Sequence, residues 1–150
     1  MMACGALWAL APAAVHAAET LAGPYRAEVE RVVDGDTLAV RVAVWLGQEL
    51  AVLVRIRGID APERRARCPR ERELAEAAAA HMAALVGDEP VALTEIAGGK
   101  FHGRVVADVA GADSGDLAGA QLAAGLARPY DGGRRESWCE AGEAAATAAR

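Results

Sequence analysis

Lysine is almost missing from this chain. Lys100 is the only one, so nearly all of the positive charge is carried by arginine, and the formal net charge is −5 at pH 7. Phosphate binding rests on Lys and Arg, so that balance works against diffuse attraction to nucleic acid and leaves only a localised basic patch to do the work. Cysteine is scarce too: Cys4, Cys68 and Cys139, with no Cys/His spacing that would build a zinc site. Gly98-Gly99-Lys100 has neither the spacing nor the Ser or Thr of a phosphate-cradling P-loop. There is no nucleophile elbow, which removes the hydrolases built on it. No internal repeat and no linker divides the sequence.

The first 18 residues carry no Asp, Glu, Lys or Arg and end Ala14-Val15-His16-Ala17-Ala18. Small residues where a signal peptidase cuts, after an apolar run, predict a secretory signal peptide over residues 1–18. The run is at the lower limit for spanning a bilayer and is rich in Ala, so no stable membrane association is expected after its removal. The expected location is periplasmic or secreted. The remaining residues, 19–150, suffice for one domain with one core; hydrophobic residues are 53% and charged residues 25%, a globular balance. A monomer is expected. Once Cys4 leaves with the leader, two cysteines remain in an exported chain, which predicts a Cys68–Cys139 disulfide.

Residues 25–33 and 37–46 alternate imperfectly and are rich in Val, reading as two strands joined at Asp34-Gly35-Asp36. A turn at Gly47-Gln48-Glu49 returns the chain into a third strand over 50–59. Residues 69–86 form the clearest helix, with Pro69 in its first turn, acids in its N-terminal half, and Leu74, Ala77 or Ala78, His81 or Met82, and Leu85 at helical spacing. Strands follow over 90–96 and 104–109. Asp116 caps a short helix over 117–124 that Gly125 ends, and a last helix is expected over 137–149. Three strands, a helix and two strands predict a mainly β fold with α: a five-stranded OB-type barrel flanked by about three helices.

Charge concentrates in Arg55-Ile56-Arg57-Gly58-Ile59-Asp60-Ala61-Pro62-Glu63. From residue 55 to 73 there are seven Arg against four acids. Standing alone, the segment reads as an edge strand with a solvated turn, and Asp34-Gly35-Asp36 as a β-turn. In an ideal strand Arg55 and Asp60 point to opposite faces, because their separation is odd. Either Gly58 marks a bulge that corrects the phase, or Asp60 lies in the turn.

Asp34-Gly35-Asp36-Thr37 leading into a strand, the Arg-x-x-x-x-Asp-x-Pro-Glu segment from Arg55 to Glu63, and Gly103-Arg104 opening a later strand occur in an order and spacing that resembles the staphylococcal-nuclease-like (thermonuclease) family, over roughly residues 29–139. The resemblance implies a Ca²⁺ site formed by Asp36, Asp60 and the backbone carbonyl of Ala61, a hard-oxygen set of the kind Ca²⁺ takes. It implies that Arg55 and Arg104 clamp the phosphate, where a planar guanidinium can bond two equatorial oxygens, and that Glu63 acts on the attacking water as base or orienting group. Arg57 is a further phosphate contact or the partner of an acid. The family pattern Asp-x-Tyr-Gly-Arg is here Lys100-Phe101-His102-Gly103-Arg104, so His102 stands where a Tyr contacts substrate, either to hydrogen-bond a phosphate or simply exposed in the hairpin. Tyr130 is a base-stacking candidate or a loop-packing residue.

The expected function is an exported Ca²⁺-dependent nuclease hydrolysing phosphodiester bonds of DNA and/or RNA; the resemblance implies products with 3′-phosphate ends. The alternatives are a non-catalytic nucleic-acid-binding OB-fold module, and a cell-envelope module with no nucleic-acid role.

Overall fold

The computed structural model describes residues 20–139. The leader assigned to residues 1–18, and all but the first three residues of the helix expected over 137–149, lie outside them. The element order is β1 (Thr20–Leu21), β2 (Tyr25–Asp34), β3 (Thr37–Trp45), β4 (Gln48–Ile56), β5 (Ile59–Asp60), α1 (Pro69–Val86), β6 (Val91–Gly98), β7 (Arg104–Gly111), β8 (Gly115–Asp116), α2 (Leu117–Ala123) and β9 (Arg128–Pro129). Strands β2, β3 and β4 meander antiparallel. Strand β4 runs parallel to β7, β7 pairs antiparallel with β6, and β6 returns to β2. The five strands therefore close into a barrel of the OB type, which leaves the principal strands no open edge. Two helices, not three, are found among the described residues; residues 137–139, where the third was to begin, are not helical.

The barrel interior is filled by alternate residues of each strand: Leu38 and Val40 from β3, Val54 and Ile56 from β4, Val91 and Leu93 from β6, Ala107 and Val109 from β7. Helix α1 packs on β2 and α2. Its buried face is Ala75, Ala78, Ala79, Met82 and Val86, a stripe turned slightly from the Leu74/Leu85 stripe that the spacing predicts. The cause is close approach: small side chains face inward because the turn between β2 and β3 lies against them. A Cβ built on Gly35 would come within 2.6 Å of the Ala78 Cβ and 2.9 Å of the Ala61 Cβ.

Gln121 of α2, fully buried, ties that turn down. Its Nε2 donates to the carbonyls of Gly35 (2.8 Å) and Ala78 (2.9 Å), and its Oε1 lies 2.7 Å from His81 Nδ1. His81 is thus a structural partner. Gly35→Ala is expected to destabilise the fold by about 1–3 kcal/mol through overpacking; urea unfolding measures it, and a variant as stable as wild type would contradict this packing.

The third strand departs from the sequence reading. It ends at Ile56, not at residue 59; Gly58 takes φ +80°, which a glycine adopts without strain, and the chain restarts as β5, paired with β9.

Candidate active site

Strand register brings the charged residues together. Thr37 at the start of β3 pairs with Arg55 near the end of β4, so Arg55 lies beside the turn carrying Asp36. On the other side β4 pairs with β7, with Leu53 opposite Arg104 and Arg55 opposite Val106. Arg55 and Arg104 thus stand two residues apart on neighbouring parallel strands, on one face. The break at Gly58 removes the phase difficulty and returns Asp60 to Arg55.

Asp36 and Asp60 are buried, 3% and 5% exposed. A single guanidinium joins them: Arg55 Nη1 donates to Asp36 Oδ1 and Nη2 to Asp60 Oδ1, each at 3.1 Å. Asp36 also accepts from Thr37 Oγ1 (2.7 Å) and from the Ala61 amide (2.8 Å). Two buried carboxylates without these donors would bear a large desolvation cost. Asp34, half-buried, has its carboxyl pushed above the usual range, first by burial and then by the neighbouring Asp36 charge.

A second guanidinium completes the cluster, and the sequence reading did not single it out. Arg135 Nη2 donates to the Ala61 carbonyl at 2.9 Å, and Nη1 is bonded to Glu63 Oε1. Its Nε lies 2.5 Å from Asp60 Oδ1, an ion-pair contact that lacks hydrogen-bond geometry. Burial pulls the Arg135 guanidinium down, but Asp60 and Glu63 more than offset it, leaving it above its ordinary value. Arg135 is delivered by a tail segment pinned at both ends. At one end β9 pairs with β5. At the other, Trp138 is 8% exposed and its Nε1 donates to Asp60 Oδ2 at 3.4 Å, while Cys139 is disulfide-bonded to Cys68, Cα–Cα 5.9 Å. Arg128 stacks on the Trp138 ring at 3.8 Å from its centroid. Glu71 lies next to Cys68 and Cys139, but the disulfide rules out thiolate ligands there.

Above the cluster opens a cleft of about 1100 Å³, lined by Arg55, Arg57, Glu63, Lys100, Phe101, Arg104, Tyr130 and Arg135 among others. Five of those side chains are basic, but Arg55, Arg57 and Arg135 are paired with acids, which leaves Lys100 and Arg104 as the cationic groups of the cleft without an acidic partner among the described residues. Arg104 makes no ion pair among the described residues, and its Nε is buried without a hydrogen-bond partner. Tyr130 sits with its ring 5.8 Å from Arg55 Cζ, its hydroxyl donating to the Gly133 carbonyl at 2.9 Å.

For two residues with an open substrate role the structure shows the alternative: Arg57 pairs with an acid and His102 is exposed in the hairpin. Arg57 lines the cleft, but its guanidinium is engaged by Asp108 at 3.1 Å and by the carbonyls of Glu95 and Val106, where β6 bulges between Thr94 and Ala97. His102 is exposed in the hairpin and is not among the residues lining the cleft; its neighbour Phe101 is.

No helix of the described residues is long and apolar enough to cross a membrane. No protein-family model matches the chain, and no curated protein matches it.

Proposed function

We propose that this protein is an exported nuclease that hydrolyses phosphodiester bonds of DNA and/or RNA in the cleft between β4, β7 and the tail segment, with a 3′-phosphate left on the product as the motif resemblance implies. The observation that carries the reading is Arg104: a guanidinium with no acidic partner among the described residues, in the same cleft as Glu63 and Arg55. A guanidinium with no acidic partner among the described residues, in an aromatic-lined cleft, suits an anionic ligand. The disulfide supports an oxidising compartment, in keeping with export.

The chain's own residues divide the work as follows. Arg104 donates to phosphate oxygens and meets the charge that builds on them during attack, while Arg55, seated on Asp36 and Asp60, lines the same cleft and lends its positive charge beside it. Glu63 accepts the proton of the attacking water or orients it. Tyr130 and Phe101 offer faces on which bases stack. The oxygen set of Asp36, Asp60 and the Ala61 carbonyl suits a hard divalent cation such as Ca²⁺, since cationic groups already stand on those oxygens in the form of Arg55 and Arg135. A bound Ca²⁺ would supply further charge neutralisation at the phosphate.

Glu63→Gln keeps the shape and removes the base. It is expected to retain single-stranded DNA binding while turnover falls by at least about 10²; a variant that cleaves at the wild-type rate would remove Glu63 from the chemistry. A non-catalytic binding module is favoured by one observation, the engagement of Glu63 and Asp60 by Arg135. It predicts salt-sensitive binding with no cleavage by either form.

A further inference from the structure

We propose that the Arg135 guanidinium is the resident cation of the Asp60–Ala61–Glu63 oxygens, and that a divalent cation enters this cluster only by displacing it. The inference rests on the cluster being the cation site of the proposed function, but not on hydrolysis taking place there.

Arg135 differs from the other arginines of the cleft. Arg57 is spent on Asp108 and two strand carbonyls, and Arg104 has no acidic partner among the described residues. Arg135 alone spreads its three nitrogens over three residues of one turn: Asp60 through Nε, Glu63 through Nη1 and the Ala61 carbonyl through Nη2. Two of those oxygen groups are ones a hard cation would need, and the third is the carboxylate assigned to the water. Arg55 also reaches Asp60 Oδ1, at 3.1 Å, but it touches neither the Ala61 carbonyl nor Glu63; Arg135 covers all three groups, and its positive charge there repels a divalent cation where water is sparse.

The segment that carries the guanidinium is anchored on both sides. Trp138 and the Cys68–Cys139 bridge fix the chain three and four residues beyond it, and β9 fixes the chain before it. Between those anchors residues 130–137 form no helix or strand, and Gly132 and Gly133 take positive φ. The anchors therefore leave room for Arg135 to swing into the cleft it already lines while Trp138 keeps its contact with Asp60. The affinity of the cluster for a cation is then reduced by the fraction of molecules in which Arg135 is seated.

Calcium titrations into the purified chain, followed by calorimetry, test this on wild type, Arg135→Gln and Arg134→Gln. Arg134 is exposed in the same loop, so its replacement removes the same charge without opening the cluster. Arg135→Gln is expected to bind Ca²⁺ at least about tenfold more tightly than wild type, and Arg134→Gln within about twofold of wild type. Arg135→Gln binding no more tightly than wild type, or Arg134→Gln gaining as much, overturns the proposal. Should Arg135→Gln fail to fold, the arginine Nε–Hε NMR signals of the wild-type chain decide, with Arg135→Lys providing the assignment. Saturating Ca²⁺ must shift the Arg135 signal; an unshifted signal contradicts displacement. If Arg135→Gln gains Ca²⁺ affinity while neither form cleaves nucleic acid, the competition stands and the nuclease reading falls.

Discussion

Arg104→Ala is expected to lower the rate of phosphodiester cleavage by about 10²–10³-fold, the usual cost of removing one donor aimed at charge that develops in the transition state. Its melting temperature should stay close to that of wild type. That pairing of a large kinetic effect with a small thermal one follows from the structure: Arg104 has no ion pair among the described residues and its Nε has no partner to lose. Arg55 makes the opposite case. Its guanidinium neutralises two buried carboxylates, and removing one partner of a buried pair commonly destabilises by about 3–5 kcal/mol. Arg55→Ala would confuse loss of fold with loss of chemistry, so Arg104 is the cleaner probe. Steady-state cleavage of a labelled oligonucleotide, with thermal unfolding of the same samples, gives both numbers. An Arg104→Ala enzyme with unimpaired turnover would remove the clamp from the account.

Replacing both Cys68 and Cys139 by Ser should cost about 4 kcal/mol, from the loop-closure entropy of a bridge between residues 71 apart. For a domain of this size that is a fall in melting temperature on the order of 10–20 °C. The loss should also be local. Cys139 follows Trp138, and together they hold the segment that carries Arg135 to Asp60. The double variant should therefore show faster amide exchange over residues 128–139 before the barrel itself opens. Thermal unfolding in the presence and absence of reductant measures the first effect, and hydrogen exchange the second. A shift of only a degree or two would mean that the tail contributes little to the fold.

Much of the barrel is legible in the sequence for local reasons. Pro69 opens α1 and Gly87 closes it, so Pro69–Val86 matches the predicted span. Valine-rich alternation marks β2 and β3, and Asp116 caps α2 with its own carboxylate, accepting from the amides of Ala118 and Gly119. The motif order places Asp36, Asp60, Arg55, Glu63 and Arg104 within one region, and strand register gathers them there.

What escaped depends on non-local contacts. The phase of α1 is set by the close approach of Gly35, which no helical wheel contains. The end of β4 is set by Gly58 together with the return of residues 128–129 to pair with 59–60. Arg135 reads in sequence as one of two adjacent arginines in a polar loop. Only the nearby Cys139, once paired with Cys68 at the start of α1, hints that this loop is drawn back onto the Asp60–Glu63 turn. His102 and Phe101 show the same limit: in a hairpin, which of two neighbours faces the cleft depends on the turn geometry and not on which residue has the more suggestive chemistry.

The most direct test of the central claim is cleavage itself. Purified protein is incubated with heat-denatured DNA and, separately, with RNA in the presence of Ca²⁺, and parallel reactions are stopped with chelator before separation on a gel. Progressive shortening of at least one of the two substrates, abolished by chelator, is the expected result. Intact DNA and RNA after prolonged incubation of folded, Ca²⁺-saturated protein would contradict it.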